Sequence, residues 1–318
     1  MNDWLAVITP IFFLAFLVLI GYIAEKTQYV KNIKESLSKI IINITLPVMI
    51  IISLSNQDIN EIPIHNIIFV LTAGITLIFL LLVINYFIGK FLHVPQERQV
   101  IHSFLGSFGN VIFLGYPIIL YLFGEIGLLY AVIFSMANEL IVWTFGAYLL
   151  NSRSQENLKK WSIKYLLNPN TVSFIIGITM LLLNLRIPGI VNAPLEYLGA
   201  ATTPLSMLFI GSVLAQTKII KALKNISIWS ICIIKMILFP ALLILVINSI
   251  PLTKDINQII LFVIILQIAM PSQTNLSVLA DRYKSDPEYT AQTIFVTTIV
   301  SSVTIPLMYF LSNYVFSK

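Results

Sequence analysis

The sequence predicts an all-α polytopic membrane protein of ten transmembrane helices arranged as two inverted five-helix repeats. Three observations carry that expectation. Of 318 residues, 58% are hydrophobic and 10% charged, with a mean hydropathy of +0.92, whereas a soluble domain carries roughly 25% charged residues to solvate its surface. Charge-free windows recur along the whole chain at close to the ~20 residues that cross a hydrocarbon core. Lysine and arginine crowd alternate loops. Together these exclude a cytosolic enzyme, a nucleic-acid-binding module and a disordered regulator. The formal charge of +5 and pI of 9.1 then reflect topology rather than an affinity for nucleic acid.

The windows in order are residues 4–24, 40–57, 66–89, 99–124, 126–150, 165–185, 197–217, 225–253, 256–280 and 289–317. The first is too long for a removable signal peptide, and it lacks a basic start and a small-residue cleavage site. The second is short and contains Pro47. Only the fifth and eighth hold a charge, Glu139 and Lys235. Loops after odd-numbered windows carry fifteen of the nineteen Lys and Arg residues, and the opposite side carries three. By the positive-inside rule the odd loops are cytoplasmic and both termini extracytoplasmic. The basic stretch Arg153 to Lys164 is then a linker at anionic lipid. The domains follow: 1–150 as the first repeat, 151–167 as the linker, and 168–318 as the second repeat.

Five helices per half is an odd number, so homologous halves must insert with opposite orientation. A trace of duplication survives in Thr45-Leu46-Pro47-Val48-Met49 against Thr203-Pro204-Leu205-Ser206-Met207. Inverted repeats mark secondary transporters.

The fourth window of each half is the unusual one. Gly106 through Pro117 holds Gly106, Gly109, Gly115 and Pro117, a composition that disfavours a continuous helix. Gln267-Ile268-Ala269-Met270-Pro271-Ser272-Gln273-Thr274-Asn275 is polar and helix-breaking at mid-membrane depth. Unwound backbone is tolerated there only where it is buried or lines a cavity. Half-helix ends would offer partial positive charge to an anion. Proline kinks with polar residues bonded to neighbouring helices are the plainer alternative.

Cys232 lies in an apolar run with no second cysteine to pair with. His65, His93 and His102 show no metal-ligand spacing and read as surface or interfacial histidines, so neither a metal nor a cofactor is expected. Lys235 and Glu139 lie ~16–18 Å deep by residue count, near the middle of a ~30 Å core. Too deep to snorkel, each needs a partner or must be neutral. An ion pair between them and separate bonds to freed carbonyls or a neighbouring amide are both open.

The motifs resemble those of the auxin efflux carrier family, which includes plant PIN-type carriers and bacterial malate or malonate permeases. Gly109-Asn110-Val111-Ile112-Phe113-Leu114-Gly115-Tyr116-Pro117 is similar to the family's break in the fourth span. Asn168-Pro169-Asn170-Thr171 resembles its entry to the sixth, and Lys235 with Pro240 its eighth. Met270-Pro271, Ala280-Asp281-Arg282-Tyr283, Pro287 and Pro306 follow its last two spans. The long hydrophilic loop of many plant members is absent, which favours a permease of prokaryotic type.

The resemblance implies an NhaA-like fold with helices crossing at the two breaks, marked here by Gly109, Gly115, Pro117 and Pro271. It also implies a scaffold of spans 1, 2, 6 and 7, a transport unit of spans 3–5 and 8–10, and a homodimer. Asn110 and Asn170 match family residues that hold the substrate carboxylate, and Ile112 and Thr274 match residues packed around it. Gln273 and Asn275 join the substrate-binding set from their polarity and position.

The function expected is secondary or facilitated transport of small organic anions by elevator-like alternating access, in the cell membrane. Proton or sodium coupling would act through Glu139 and Lys235. A sodium-coupled bile-acid-like symporter of the same fold is one alternative, and a non-transporting membrane anion receptor is another. No nucleotide-binding motif supports a self-contained ATP-driven pump. No buried pair of catalytic groups supports an enzyme.

Overall fold

The computed structural model describes residues 3–28, 33–58, 63–146, 149–150, 169–215, 222–250 and 256–316. The basic linker and both extreme termini lie outside the described residues. The helices run α1 (Asp3–Lys26), α2 (Ile33–Ile40), α3 (Leu46–Ser55), α4 (Ile64–Phe91), α5 (Gln96–Leu105), α6 (Tyr116–Ile141) and α7 (Pro169–Leu182). They continue as α8 (Gly189–Ala200), α9 (Thr202–Ala215), α10 (Ile226–Ile233), α11 (Phe239–Ser249), α12 (Gln258–Ala269), α13 (Leu276–Arg282) and α14 (Pro287–Phe316). Among the described residues, extended pairing is limited to a single antiparallel bridge between Gly109 and Ser272.

Helix lies in every one of the ten apolar windows. Among the described residues, five helical stretches are long and apolar enough to cross a membrane: Glu35–Ser55, Ile64–Phe91, Val111–Gly146, Ile226–Ser249 and Pro287–Phe316. Pro169–Leu182 and Gln258–Ala269 are apolar but shorter. The chain is an all-helical polytopic membrane protein.

Three prolines share one device. Wider π turns at Ile41–Thr45, Val111–Gly115 and Ile234–Leu238 lead directly into α3, α6 and α11. Pro47, Pro117 and Pro240 are each the second residue of the helix that follows. A proline ring clashes with the carbonyl four residues back and offers no N–H to it. A π turn opens the backbone at that carbonyl, so the helix continues past the proline instead of ending. Gly115 and Pro117 therefore belong to resumed helix rather than to unwound chain. The break expected across the whole of 106–117 is confined to its first five residues, where the glycines cluster.

The chain forms two compact units. The first comprises Met1–Phe69, Ile112–Ile133 and Ile163–Gln216. Its α1 and α9 touch backbone to backbone: a Cβ on Gly21 would strike the Leu208 carbonyl, and one on Gly211 would strike that of Val18. Small residues allow such close approach where lipid provides no hydrophobic drive between helices. Phe113 stacks on Phe209 with ring centroids 4.9 Å apart. At one end of the unit Asn56 and Asn192 both donate to the Glu196 carboxylate, at 2.9 and 2.6 Å. Within α6 the chain kinks at Gly124, whose φ of 65° belongs to the left-handed region. That residue is the last of the fourth window, and glycine is the residue that adopts such a φ without a Cβ penalty.

The second unit comprises Val70–Val111, Phe134–Ser162 and Thr217–Lys318. Its centre is α12, buried continuously from Ile260 to Ala269, with α14 and α11 among the helices against it. An apolar helix hydrophobic on every face is one that protein surrounds. Both backbone breaks lie in this unit.

Candidate functional site

Helix α5 ends at Leu105 and helix resumes at Val111, leaving Gly106–Asn110 unwound. α12 ends at Ala269 and α13 begins at Leu276, leaving 270–275 unwound. The two unwound segments cross. Asn110 donates its backbone N–H to Pro271 O at 2.7 Å, and Gln273 donates its own to Phe108 O at 3.1 Å.

The carbonyls released at the end of α5 take side-chain donors in turn. Ser107 Oγ donates to Ser103 O at 2.6 Å, and Ser272 Oγ to Leu105 O at 2.7 Å. Asn85 Nδ2 donates to Gly106 O at 2.8 Å, and Lys235 Nζ to Phe108 O at 2.6 Å. Phe108 O thus uses both lone pairs, one on a backbone amide and one on an ammonium group. A helix end buried in apolar surroundings requires partners of this kind, because each orphan carbonyl would cost about 1–3 kcal/mol. Across the junction, Ser272 donates its N–H to Thr297 Oγ1 at 3.2 Å.

The two buried charges take separate partners. Lys235 is fully buried and bonded to Phe108 O. Glu139 Oε1 accepts from Gln273 Nε2 at 2.8 Å, while Gln273 Oε1 accepts from Asn138 Nδ2 at 3.1 Å. Of the two arrangements open from the sequence, the structure has the separate bonds. The carbonyl comes from the opposite break instead of from the turn near Pro240.

Other predicted residues divide between the units. Gly109, Asn110, Pro271, Gln273, Thr274 and Asn275 belong to the second unit, with Gly109 and Pro271 in the unwound backbone itself. Asn110 is 1% exposed, and neither atom of its amide has a hydrogen-bond partner among the described residues. Thr274 Oγ1 is likewise buried and unpartnered there. Asn275 is half-buried. Ile112, buried, and Asn170, half-buried as the second residue of α7, belong to the first unit.

Three supports of the crossing escaped sequence reasoning: Asn85, Asn138 and Ser272. The first two are single amides inside long apolar windows, a signal that could have marked them. His102 is a correction. His65 and His93 are exposed, but His102 is fully buried with Nδ1 2.7 Å from Tyr289 Oη. Ser227 Oγ also donates to that hydroxyl at 3.2 Å. Arg98 caps the cluster, with its guanidinium 4.4 Å from the Tyr289 ring centroid and paired to Asp286 at 2.6 Å.

A profile of the family described as "Membrane transport protein" matches residues 6–309. The chain belongs to that family. The auxin efflux carrier resemblance drawn from the motifs is the same assignment. The chain is similar to the uncharacterized transporter MJ1031 of Methanocaldococcus jannaschii, 27% identical over 310 residues, covering 92% of this chain and 94% of the relative. An uncharacterized transporter of Methanothermobacter thermautotrophicus is 24% identical over 304 residues, covering 92% and 93%.

Proposed function

We propose that this membrane transport protein is a secondary or facilitated carrier of small organic anions, carboxylates above all, working by elevator-like alternating access. One observation carries the reading. Asn110 is buried, unpartnered at both amide atoms among the described residues, and placed where helix resumes beyond the crossing. An unsatisfied buried amide costs about 1–3 kcal/mol, a cost that makes sense where a ligand supplies the missing bonds. The positive end of the resuming helix favours an anion. A neutral amide also costs less than an arginine when the site is empty. Thr274 adds a second free hydroxyl on the other break.

The topology we infer is ten spans in two inverted repeats, with both termini extracytoplasmic in the cell membrane and a homodimer through the scaffold. Spans 1, 2, 6 and 7 form the scaffold and spans 3–5 and 8–10 the moving unit. Spans 1, 2, 6 and 7 fall in the first compact unit and spans 8–10 with most of span 3 in the second, which supports the division there, whereas Ile112–Ile133 of spans 4 and 5 groups with the first unit. Proton or sodium coupling, in this reading, acts through Lys235 and Glu139, each bonded to one strand of the crossing.

Flux of radiolabelled mono- and dicarboxylates into proteoliposomes, with and without proton and sodium gradients, tests the reading. Asn110→Ala should weaken binding by about 1–3 kcal/mol at normal membrane expression. Asn170→Ala tests the residue that the resemblance adds. Unaltered binding and flux in Asn110→Ala would remove the site, and strict sodium dependence would favour the symporter alternative. Binding without flux would indicate a receptor.

A further inference from the structure

A groove of about 210 Å³ opens on the second unit between α4, α5 and the segment that follows α6. Its walls are Phe79, Val83 and Phe87 of α4, Val100 and Phe104 of α5, and Phe145. Ser103 is among its few polar lining groups, and that hydroxyl is already turned to Gln99 O at 3.2 Å. Tyr86 is the other lining residue with a polar group, so a carboxylate would find two hydroxyls and no cation among the lining side chains. Hydrocarbon is the better match.

The α4 wall faces outward: Phe79, Val83 and Phe87 are 38%, 51% and 61% exposed. On a helix long and apolar enough to span the bilayer, such exposure is to lipid. Residues 79, 83, 87 and 90 follow one another at helical spacing along a single stripe, and the stripe ends in the exposed Lys90, in the last turn of α4. From Lys90 to Phe79 the axial rise is about 16 Å at 1.5 Å per residue. Half of a ~30 Å hydrocarbon core is about 15 Å. The groove lining on α4, Phe79 to Phe87, covers about 12 Å of that rise, and Lys90 lies just beyond it at the headgroup end.

We propose that this groove binds one acyl chain of an anionic membrane phospholipid, with the lipid phosphate at Lys90. The site bears on the crossing through two rings. Phe104, on the groove floor, packs edge-on against Phe108 with centroids 5.2 Å apart, and Phe108 is the residue whose carbonyl receives Lys235 and Gln273. A chain seated in the groove supports Phe104 from behind and stabilises the crossing. The ligand is structural and regulatory, separate from the transported anion.

The test uses the full-length protein in detergent, titrated with phosphatidylglycerol or phosphatidylcholine and followed by native mass spectrometry and thermal unfolding. Phosphatidylglycerol should bind saturably at one site and raise the melting temperature, and phosphatidylcholine should bind about fivefold more weakly with a smaller shift at the same concentration. Val83→Trp fills the groove and should remove the bound lipid and the thermal shift. Lys90→Gln, an exposed change at a helix end, should leave the fold intact. It should weaken phosphatidylglycerol about fivefold, equivalent to the ~1 kcal/mol one basic residue contributes at an anionic surface. Equal shifts from both lipids, or undiminished phosphatidylglycerol binding by folded Val83→Trp or by Lys90→Gln, would overturn the proposal.

Discussion

The Asn85 side chain occupies the space that a Cβ on Gly106 would need, while its Nδ2 donates to the Gly106 carbonyl at 2.8 Å and to Leu81 O at 2.9 Å. One amide both ties off the end of α5 and forbids any larger residue there. Gly106→Ala should therefore destabilise the protein by about 1–3 kcal/mol, the usual cost of overpacking. In the double variant with Asn85→Ala, the total loss should fall short of the summed singles by roughly 1 kcal/mol, because the clash is gone. Chemical denaturation in detergent measures the cycle, and simple additivity would contradict the contact.

Gln273 is held between Asn138 and Glu139. Gln273→Leu preserves bulk but deletes the hydrogen bonds to both Asn138 and Glu139. We expect a loss of about 2–4 kcal/mol, the sum for a neutral and a charged hydrogen bond, and a Gln273→Glu variant that is worse because it sets a carboxylate against Glu139. A melting temperature for Gln273→Leu within a degree of wild type would refute the assignment.

Lys235→Met retains the stem and removes the ammonium group from Phe108 O. That carbonyl keeps the Gln273 N–H, so folding should survive with a cost near 1–3 kcal/mol. Flux should fall much further, since the crossing loses the lysine held at that oxygen. Normal transport by Lys235→Met would reduce this lysine to a structural bond.

Tyr289 is engaged through both its hydroxyl and its ring face. Tyr289→Phe deletes the bonds to His102 and Ser227 but leaves the ring under Arg98. Tyr289→Leu removes both, and should cost a further ~0.5–2 kcal/mol, the range of a cation–π contact. Thermal unfolding should rank wild type above Tyr289→Phe and Tyr289→Leu last. Equal midpoints for the two variants would mean that the stacking contributes nothing.

The features legible in the sequence are those written in local composition. Gly109 and Pro271 announced two breaks, and Gly124, the last residue of the fourth window, is where the backbone takes a positive φ. Pro47, Pro117 and Pro240 were visible as prolines, but the π turns that absorb them depend on backbone geometry that no residue type encodes. Partners were the illegible part. Lys235 meets a backbone carbonyl 127 positions away and His102 a hydroxyl 187 away, and a carbonyl carries no letter of its own. Depth along a span showed that Lys235 and Glu139 needed partners, yet equal depth does not fix the helix face. The same limit made His102 look interfacial when only its place near a loop was known.

The crossing also sets an order of events during synthesis. Its first strand, Gly106–Asn110, depends on groups that lie far downstream: Ser272 reaches Leu105 O across 167 residues, and Lys235 and Gln273 serve Phe108 O. While the ribosome is still making the second half of the chain, those carbonyls sit in the membrane without their final partners. Loop closure over that distance is slow compared with local helix formation. The nascent first half therefore has to borrow water or insertion-machinery contacts until α12, α13 and Thr297 of α14 are made.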